Sequence, residues 1–198
     1  MAGDFDSIRP GVREFYNSQR TVVQHSSDQD STDFMKCVQF AKQHLAPEFD
    51  LIVFGGLGGR VDQSFHSLHH LFLSAFPARP AAEGAESTGP LGAGSDDSRD
   101  TTQVDMQVYL VSPESVTFLI PEGGAARVRT PLAYLGPACG LIPLAGPTKI
   151  TTHGLEWDVS DWPTSFGSRV STSNHILHDF TEVETVGNPI LFTVELRK

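Results

Sequence analysis

The periodicity of the apolar residues changes once along this chain, at a segment of low complexity, and this change limits the folds that the chain can adopt. Before the segment, apolar runs alternate with helical patterns, as where Asp50–Phe54 is followed by Val61–Phe76. After it, short strand patterns are separated by Gly, Pro and Asn. Alternating strands and helices indicate an α/β layer, whereas evenly spaced short strands indicate a sandwich or barrel. We therefore predict an α/β domain with a parallel sheet, followed by an all-β sandwich domain.

The segment of low complexity covers residues 77–105 and divides these two patterns. Of its 29 residues, 18 are Pro, Gly, Ala, Ser or Thr, and none is aromatic. Such a composition buries too little apolar surface to offset the entropy of ordering, so we predict a flexible insertion. The predicted domains are an α/β domain at 1–76 and a β-sandwich domain at 106–198.

The apolar spacing also places individual elements. We predict helices at 31–45 and 61–76, and strands at 21–25, 50–54, 106–111, 115–120, 138–144, 148–159, 168–173 and 190–196.

Composition excludes several classes of function. The formal net charge is −10, from 14 Lys+Arg and 24 Asp+Glu, which argues against nucleic acid or an anionic membrane as a partner. The first residues lack the basic and apolar regions of a signal peptide, and the apolar runs are too short to span a bilayer. The two cysteines form no C-x-x-C motif. We expect a cytoplasmic protein.

Three acidic motifs lie in the first third, at residues 3–8, 28–33 and 55–63. If these motifs follow neighbouring strands, their carboxylates converge on the carboxyl edge of the sheet, where ligands bind in open α/β folds. Carboxylate oxygens are the ligands that Mg²⁺ prefers. The candidate metal ligands are Asp4, Asp6, Asp30 and Asp33. Taken singly, an Asp-x-Asp is also typical of a turn, and residues 28–33 also suit a helix cap.

The third motif adds a glycine-rich turn between a predicted strand and a predicted helix. Gly56, Gly58 and Gly59 would let the backbone approach a phosphate, and the helix after them offers free N–H groups. Arg60 adds a planar cation that suits phosphate oxygens. The turn fits neither the Walker A nor the dinucleotide-binding spacing. Metal, glycines and arginine together indicate phosphoryl-type transfer.

These motifs, in this order, resemble the eukaryotic thiamine pyrophosphokinase family. The resemblance rests on Gly-Asp-Phe-Asp-Ser-Ile at 3–8, Asp-Gln-Asp-x-Thr-Asp at 28–33 and Gly-Gly-x-Gly-Gly-Arg-x-Asp-Gln at 55–63. It continues through Cys-Gly-Leu-Ile-Pro at 139–143, Thr-Thr-x-Gly-Leu-x-Trp at 151–157 and Val-Ser-Thr-Ser-Asn at 170–174. It implies transfer of pyrophosphate from ATP to the hydroxyl of thiamine, in a homodimer whose active sites lie between subunits.

The resemblance also implies roles for individual residues in the catalytic domain. Catalytic positions are Asp33, Asp62 and Arg60, and either Asp33 or Asp62 could accept the proton of the thiamine hydroxyl. Mg²⁺ would be held by Asp4, Asp6, Asp30 and Asp33. The phosphates of ATP would meet Asp4, Gly56, Gly58, Gly59 and Arg60.

Thiamine itself would be bound by Gln29 and by residues of the second domain. Trp157 would face its pyrimidine, and a loop with Ser171, Ser173 and Asn174 would close over it. A flat cationic substrate suits an aromatic face. Without the resemblance, Trp157 also suits the core of a sandwich, and residues 171–174 suit a polar turn.

Family members carry a further strand–helix–strand unit ahead of Gly-Asp-Phe-Asp, so the resemblance implies a Rossmann-like domain truncated at its N-terminus. The alternative function is therefore a non-catalytic relative that dimerises and binds thiamine.

Two other sets of residues are interpreted as structural. His66 and His70 are four residues apart on a predicted helix, but Ser67 stands where a zinc protease has Glu, and a site needs a third ligand. Cys37 falls on the apolar face of the predicted helix at 31–45, so we predict a small core residue.

Overall fold

The computed structural model describes residues 2–6, 8–19, 21–28, 30–44, 49–75 and 107–198. It divides into two compact units, Met1–Phe49 and Asp50–Lys198. The predicted insertion at 77–105 lies outside the described residues.

The first unit pairs two short parallel strands and adds two helices. Strand β1 (Ala2–Gly3) lies parallel to β2 (Gln24–His25), with α1 (Pro10–Ser18) between them in the chain and α2 (Asp33–His44) after them. Val38 and Ala41 of α2 are buried, as is Ala2 of β1. Cys37 is exposed, and its thiol donates to the carbonyl oxygen of Ala2 at 3.3 Å, so its prediction as a core residue is wrong. Cys37 directly precedes the buried Val38 and so lies about 100° around the helix from it, at the edge of the buried face.

The second unit begins with a strand–helix–strand unit, and its two strands pair with each other although the predicted insertion separates them in the sequence. Strand β3 (Leu51–Phe54) is followed by α3 (Val61–Ala75) and then by β4 (Val108–Val111), which is parallel to β3. The prediction that 50–54 forms a parallel strand is confirmed. An apolar run of this kind is typical of a buried strand, but β3 is the outermost described strand of its sheet and Ile52 and Phe54 are exposed.

Antiparallel strands make up the rest of the second unit. They are β5 (Ser115–Ile120), β6 (Ala125–Arg129), β7 (Leu135–Ile142), β8 (Thr148–His153), β9 (Trp162–Thr164), β10 (Ser171–His175), β11 (Phe180–Gly187) and β12 (Ile190–Leu196). The described strands form a six-stranded sheet in the order β10-β7-β12-β5-β4-β3 and a four-stranded sheet in the order β6-β11-β8-β9.

The core of the second unit lies between these two sheets. Leu141 and Phe192 come from the six-stranded sheet, and Ile150 and Val183 come from the four-stranded sheet; all four are at most 1% exposed. Side chains from both sheets therefore fill one interior, as in a sandwich. The predicted fold class, an α/β part followed by a β-sandwich, is confirmed.

The compact units divide between residues 49 and 50, earlier than the predicted domain boundary. The reason is that β3 hydrogen-bonds to β4, so the strand before the insertion belongs to the same sheet as the strands after it. The predicted boundaries at 76 and 106 border residues outside the described ranges, and they stay predictions.

Most predicted elements are present with shifted ends. The strand predicted at 148–159 ends at His153, and the one predicted at 168–173 runs from Ser171 to His175. Helix α1 and strands β1, β6, β9 and β11 had no counterpart among the predictions. None of the helices in the described ranges has the length and apolar content needed to cross a membrane.

Candidate functional site

Two of the predicted metal ligands meet in the first unit, around a buried lysine. Asp4 directly follows β1 and Asp33 begins α2; the Asp4 amide donates to Asp33 Oδ1 at 3.1 Å. Lys36 Nζ lies 3.3 Å from Asp4 Oδ2 and 3.6 Å from Asp33 Oδ1. Only 5% of the Lys36 side chain is exposed. We call Asp4, Asp33 and Lys36 the carboxylate–lysine cluster.

Gly3 is required by the close approach of this cluster to β1. A Cβ atom at residue 3 would lie 2.7 Å from Asp33 Oδ1, well inside van der Waals contact. The first glycine of the acidic motif at 3–8 therefore makes room for the second carboxylate, and any larger residue would push Asp33 away from Asp4.

The other predicted ligands of the first unit lie in exposed turns. The Asp6 amide donates to Asp4 Oδ1 at 3.2 Å, and this bond, helped by Lys36, lowers the pKa of Asp4. The Asp30 amide donates to Asp28 Oδ1 at 2.9 Å. Asp28 also accepts from the Ser31 hydroxyl, and chiefly this bond lowers its pKa. Gln29 lies outside the described residues.

The donor set of the carboxylate–lysine cluster fits Mg²⁺. No group of three or more His, Cys, Asp or Glu side chains close enough to hold an ion occurs within the described ranges. Mg²⁺ does not need such a cage, since it is commonly bound by one or two carboxylates together with substrate phosphates and water. Two adjacent hard oxygen donors, from Asp4 and Asp33, meet that requirement.

The glycine-rich turn follows β3, as predicted, and leads into α3. Gly55, Gly58 and Gly59 have φ angles of +76°, +121° and +69°, which side chains rarely adopt. At Gly56 a side chain is disfavoured for a different reason, because a Cβ atom there would lie only 3.3 Å from Leu110 Cδ2. The turn is closed by Ser64, whose hydroxyl oxygen accepts from the Gly58 amide at 3.1 Å.

Arg60 and Asp62 form an exposed, two-pronged ion pair at the start of α3. Arg60 Nε lies 3.1 Å from Asp62 Oδ1, and Nη2 lies 2.5 Å from Oδ2. The pairing lowers the pKa of Asp62 and raises that of Arg60. The side chain of Arg60 is 75% exposed and that of Asp62 is 61% exposed, so solvent reaches both and a phosphate can reach Arg60.

Three of the four remaining predicted residues line one cavity of the sandwich, and Ser173 is not among its lining residues. The cavity has a volume of about 300 Å³; Leu141, Ile150 and Trp162 line it on the apolar side. Trp157, Ser171 and Asn174 line it as well. Ser173 is exposed and has a φ of +55°.

Trp157 is 55% exposed, so the alternative that it is a core residue of the sandwich is wrong. Its ring lies 5.3 Å from the ring of His175, at an interplanar angle of 43°. His175 Nδ1 in turn lies 2.5 Å from Glu156 Oε2. The structure thus presents an accessible aromatic face beside a cavity, next to a histidine–carboxylate pair.

Sequence reasoning missed several residues that organise these sites. Lys36 had a local signal, since it follows Asp33 by three residues on a helix. Glu156 and His175 are 19 residues apart in the sequence and come into contact only in the folded protein, so no local sequence pattern predicts their pairing. His66 and His70, interpreted as structural, lie edge to face on α3 with ring centroids 4.8 Å apart.

Two family models match the chain in order. The model described as "Thiamin pyrophosphokinase, catalytic domain" matches residues 1–80. The model described as "Thiamin pyrophosphokinase, vitamin B1 binding domain" matches residues 126–190. The first range includes the carboxylate–lysine cluster and the glycine-rich turn, and the second includes Trp157 and its cavity.

Curated plant proteins resemble the whole chain. Thiamine pyrophosphokinase 3 of Oryza sativa subsp. japonica is 32% identical over 100% of this chain and 66% of its own length. Thiamine pyrophosphokinase 1 of Arabidopsis thaliana is 30% identical over 100% of this chain and 65% of its own length. The chain therefore spans slightly less than two thirds of the relatives that it matches.

Solved structures share the fold. Thiamin pyrophosphokinase from Candida albicans superposes with a TM-score of 0.75 at 21% identity, over 99% of this chain and 73% of that one. The yeast enzyme gives a TM-score of 0.73 at 23% identity, over 99% of this chain and 68% of that one.

Proposed function

This chain belongs to the thiamine pyrophosphokinase family, and from that premise we propose that the protein transfers the β,γ-pyrophosphoryl group of ATP to the hydroxyl of thiamine. The products are thiamine diphosphate and AMP. The observation that carries the proposal is the match of a catalytic and a vitamin B1-binding model, in order, on one chain. The first matched range contains carboxylates and a glycine-rich turn that suit a metal ion and phosphates, and the second contains an exposed aromatic side chain beside a cavity that suits thiamine.

The Trp157 cavity is the proposed site for thiamine. Thiamine is flat and carries a positive charge, so it is attracted to an accessible aromatic face by stacking and by cation–π interaction. Trp157 offers such a face, beside a cavity of about 300 Å³ that Ser171 also lines. Gln29 and Ser173 remain proposed thiamine contacts on the strength of the resemblance.

The glycine-rich turn and the start of α3 are proposed to bind the phosphates of ATP. The positive φ angles at Gly58 and Gly59 favour glycine, so no side chain at these positions blocks a phosphate from the backbone of the turn. The first amides of α3 favour an anion. Arg60 matches the geometry of phosphate oxygens. Because its ion pair with Asp62 is exposed, Arg60 can exchange that carboxylate for a phosphate at small cost.

Asp4 and Asp33 are proposed to hold Mg²⁺, with Asp6 and Asp30 as further carboxylates of the same motifs. When bound, the ion would neutralise charge on the triphosphate. Lys36 keeps the two carboxylates together through its contacts with both. The residues of the chain thus supply hard oxygen donors already gathered at one place.

The reaction also needs a base and a leaving group. The thiamine hydroxyl oxygen forms a bond to the β-phosphorus, the bond from that phosphorus to the oxygen it shares with the α-phosphorus breaks, and AMP leaves with the electron pair. A carboxylate takes the hydroxyl proton. We propose either Asp33 or Asp62 for that role, since both are carboxylates of the matched motifs.

Assembly and location follow the same proposal. We propose a homodimer with active sites between subunits, in the cytoplasm, with ATP and thiamine as its substrates. Neither nucleic acid nor membrane is a proposed partner, because the net charge of −10 disfavours both.

Product analysis tests this function directly. The protein is incubated with ATP, Mg²⁺ and thiamine, and the nucleotides and thiamine esters are separated by chromatography. Thiamine diphosphate with AMP is the expected pair, and Asp33→Asn should abolish its formation without changing the circular dichroism spectrum. ADP as the product would show an ordinary kinase, and thiamine binding without any product would show a non-catalytic relative; either result contradicts the proposal.

A further inference from the structure

The side chain of Asn174, in β10, holds the backbone of Trp157 in place through two hydrogen bonds. The Trp157 amide donates to Asn174 Oδ1 at 3.1 Å, and Asn174 Nδ2 donates to the Trp157 carbonyl oxygen at 3.0 Å. The carboxamide of Asn174 therefore pairs with Trp157 as a neighbouring strand would, with one donor and one acceptor. Trp157 is 55% exposed, and its ring contacts His175, whose own amide also donates to Asn174 Oδ1.

Asn174 has little capacity left for a ligand. Besides the Trp157 amide, its Oδ1 accepts from the His175 amide at 2.8 Å, which uses both lone pairs of that oxygen. One of the two N–H groups of Nδ2 is used by the Trp157 carbonyl. Only 5% of Asn174 is exposed. Its contacts are those of a structural link to Trp157 and leave one N–H at most for a substrate.

A β-bulge points this side chain inward. Ser171 of β10 pairs with Leu141 of β7, and Asn174 pairs with Cys139. Between these two pairs β10 advances by three residues and β7 by two, so β10 contains one extra residue. Ser173 takes a φ of +55° at this point. An extra residue reverses the alternation of side chains between the two faces of a sheet. Without the bulge, residue 174 would face away from Trp157.

The segment that carries Trp157 is also tied to β8. Asp158 accepts from the Thr152 hydroxyl at 3.0 Å, from the Gly154 amide at 3.0 Å and from the Leu155 amide at 3.1 Å. The segment is therefore attached on one side by Asp158 and on the other by Asn174, whose two hydrogen bonds reach Trp157 itself.

We propose that Asn174 is a positioning residue that sets the orientation of Trp157 as the aromatic platform for substrate. In this arrangement Asn174 acts through Trp157 and does not itself provide the main contact to thiamine. The part of the inference that concerns thiamine rests on the proposed function, whereas the link between Asn174 and Trp157 does not.

Two substitutions separate positioning from direct contact. Asn174→Asp keeps an acceptor for the Trp157 amide but replaces the donor that faces the Trp157 carbonyl, and Asn174→Ala removes both bonds. Asn188→Ala is the matched control, because Asn188 Nδ2 also bonds a backbone carbonyl, that of Pro147, at 2.9 Å, in a different turn. If Asn174→Ala does not fold, Asn174→Asp carries the test.

The first measurement needs no substrate. The chain has two tryptophans, so a Trp162→Phe background leaves Trp157 as the only one. The fluorescence anisotropy of Trp157 should fall when Asn174→Asp is added to this background and stay unchanged with Asn188→Ala. An unchanged anisotropy in a folded Asn174→Asp protein would overturn the inference.

The second measurement is kinetic, with Trp162 present. Asn174→Asp should raise the KM for thiamine roughly tenfold, as expected for a misplaced aromatic face, with the KM for ATP and kcat within about twofold. A rise in the thiamine KM with no change in Trp157 anisotropy would make Asn174 a direct ligand, contrary to the inference. If the unsubstituted chain has no activity, the proposed function fails and the anisotropy alone decides the role of Asn174.

Discussion

The ammonium group of Lys36 lies between two carboxylates, with its side chain almost completely removed from solvent. Asp4 and Asp33 carry like charges and come close enough for Asp33 to accept the Asp4 amide. Two such charges repel each other, and a cation between them reverses the sign of the interaction. A single lysine thus allows both acidic motifs to meet before any substrate is present.

Replacing Lys36 should therefore destabilise the protein. In Lys36→Met the apolar stem is kept and the charge is lost, so the two carboxylates face each other without a counter-ion. We expect a lower midpoint of urea unfolding at pH 7. Lys42→Met, at an exposed position of the same helix, is the control and should leave the midpoint unchanged. Equal midpoints for the two variants would contradict the role given to Lys36.

Asp4 should make the stability depend on pH in the acid range. Its pKa lies below the ordinary value of 3.8, mainly because the Asp6 amide donates to it and also because Lys36 is near. A carboxyl whose pKa is lowered by folding stabilises the protein above the unfolded value, and this contribution is lost as the pH falls through the folded value. Urea titrations at pH 6, 4 and 3 should show a steeper loss for the wild type than for Asp4→Asn. Parallel pH profiles would rule out this linkage.

At the scale of elements, the turn after β8 depends on a glycine that has two separate constraints. Gly154 has a φ of +98°, and a Cβ there would lie 2.7 Å from the carbonyl oxygen of Phe180. Gly167 has a φ of +84° but open space around it. The pair therefore separates the conformational cost of a side chain from its steric cost.

We expect Gly167→Ala to lower the free energy of unfolding by about 1–2 kcal/mol, the cost of a left-handed conformation. Gly154→Ala should lower it by about 1–3 kcal/mol more, because the backbone of β11 must move to admit the methyl group. Equilibrium urea unfolding measures both values. Similar losses in the two variants would mean that β11 does not press against residue 154.

Some elements could be predicted from the sequence because their burial pattern is carried by apolar side chains. Strands β5 and β12 were predicted at their observed bounds, and their central residues Phe192 and Leu119 are buried. Strand β11 was missed although it alternates regularly, because two of its three inward residues are Thr181 and Thr185. Buried threonines, whose hydroxyls form hydrogen bonds within the protein, are not recognised as inward-facing residues when a strand is predicted from hydrophobicity.

The candidate site shows the same limit. The positions of Asp4, Asp33 and the glycine-rich turn follow from motifs at the ends of strands, and the structure brings Asp4 and Asp33 together. Asn174 could not be predicted as the partner of Trp157, because that pairing depends on a one-residue bulge in β10. A shift of one residue in a strand changes the face of every following side chain, and local sequence does not record it.

At the scale of the whole molecule, the parallel pairing of β3 with β4 joins the residues before and after the predicted insertion. Closing a chain loop costs free energy that grows only with the logarithm of its length. Replacing residues 81–100 by a direct connection from 80 to 101 should therefore change the free energy of unfolding by no more than about 1 kcal/mol. Cooperative urea unfolding with a wild-type circular dichroism spectrum is the expected result. Loss of cooperative folding would show that residues 81–100 contribute contacts of their own.

We propose that this chain transfers a pyrophosphoryl group, as one piece, from ATP to thiamine. The most direct measurement uses ATP labelled at the γ-phosphate, with Mg²⁺ and thiamine, and follows the label. The account predicts label only in the terminal phosphate of thiamine diphosphate, with an equal amount of unlabelled AMP. Label in inorganic phosphate or in thiamine monophosphate, or no product from protein that is folded, would contradict it.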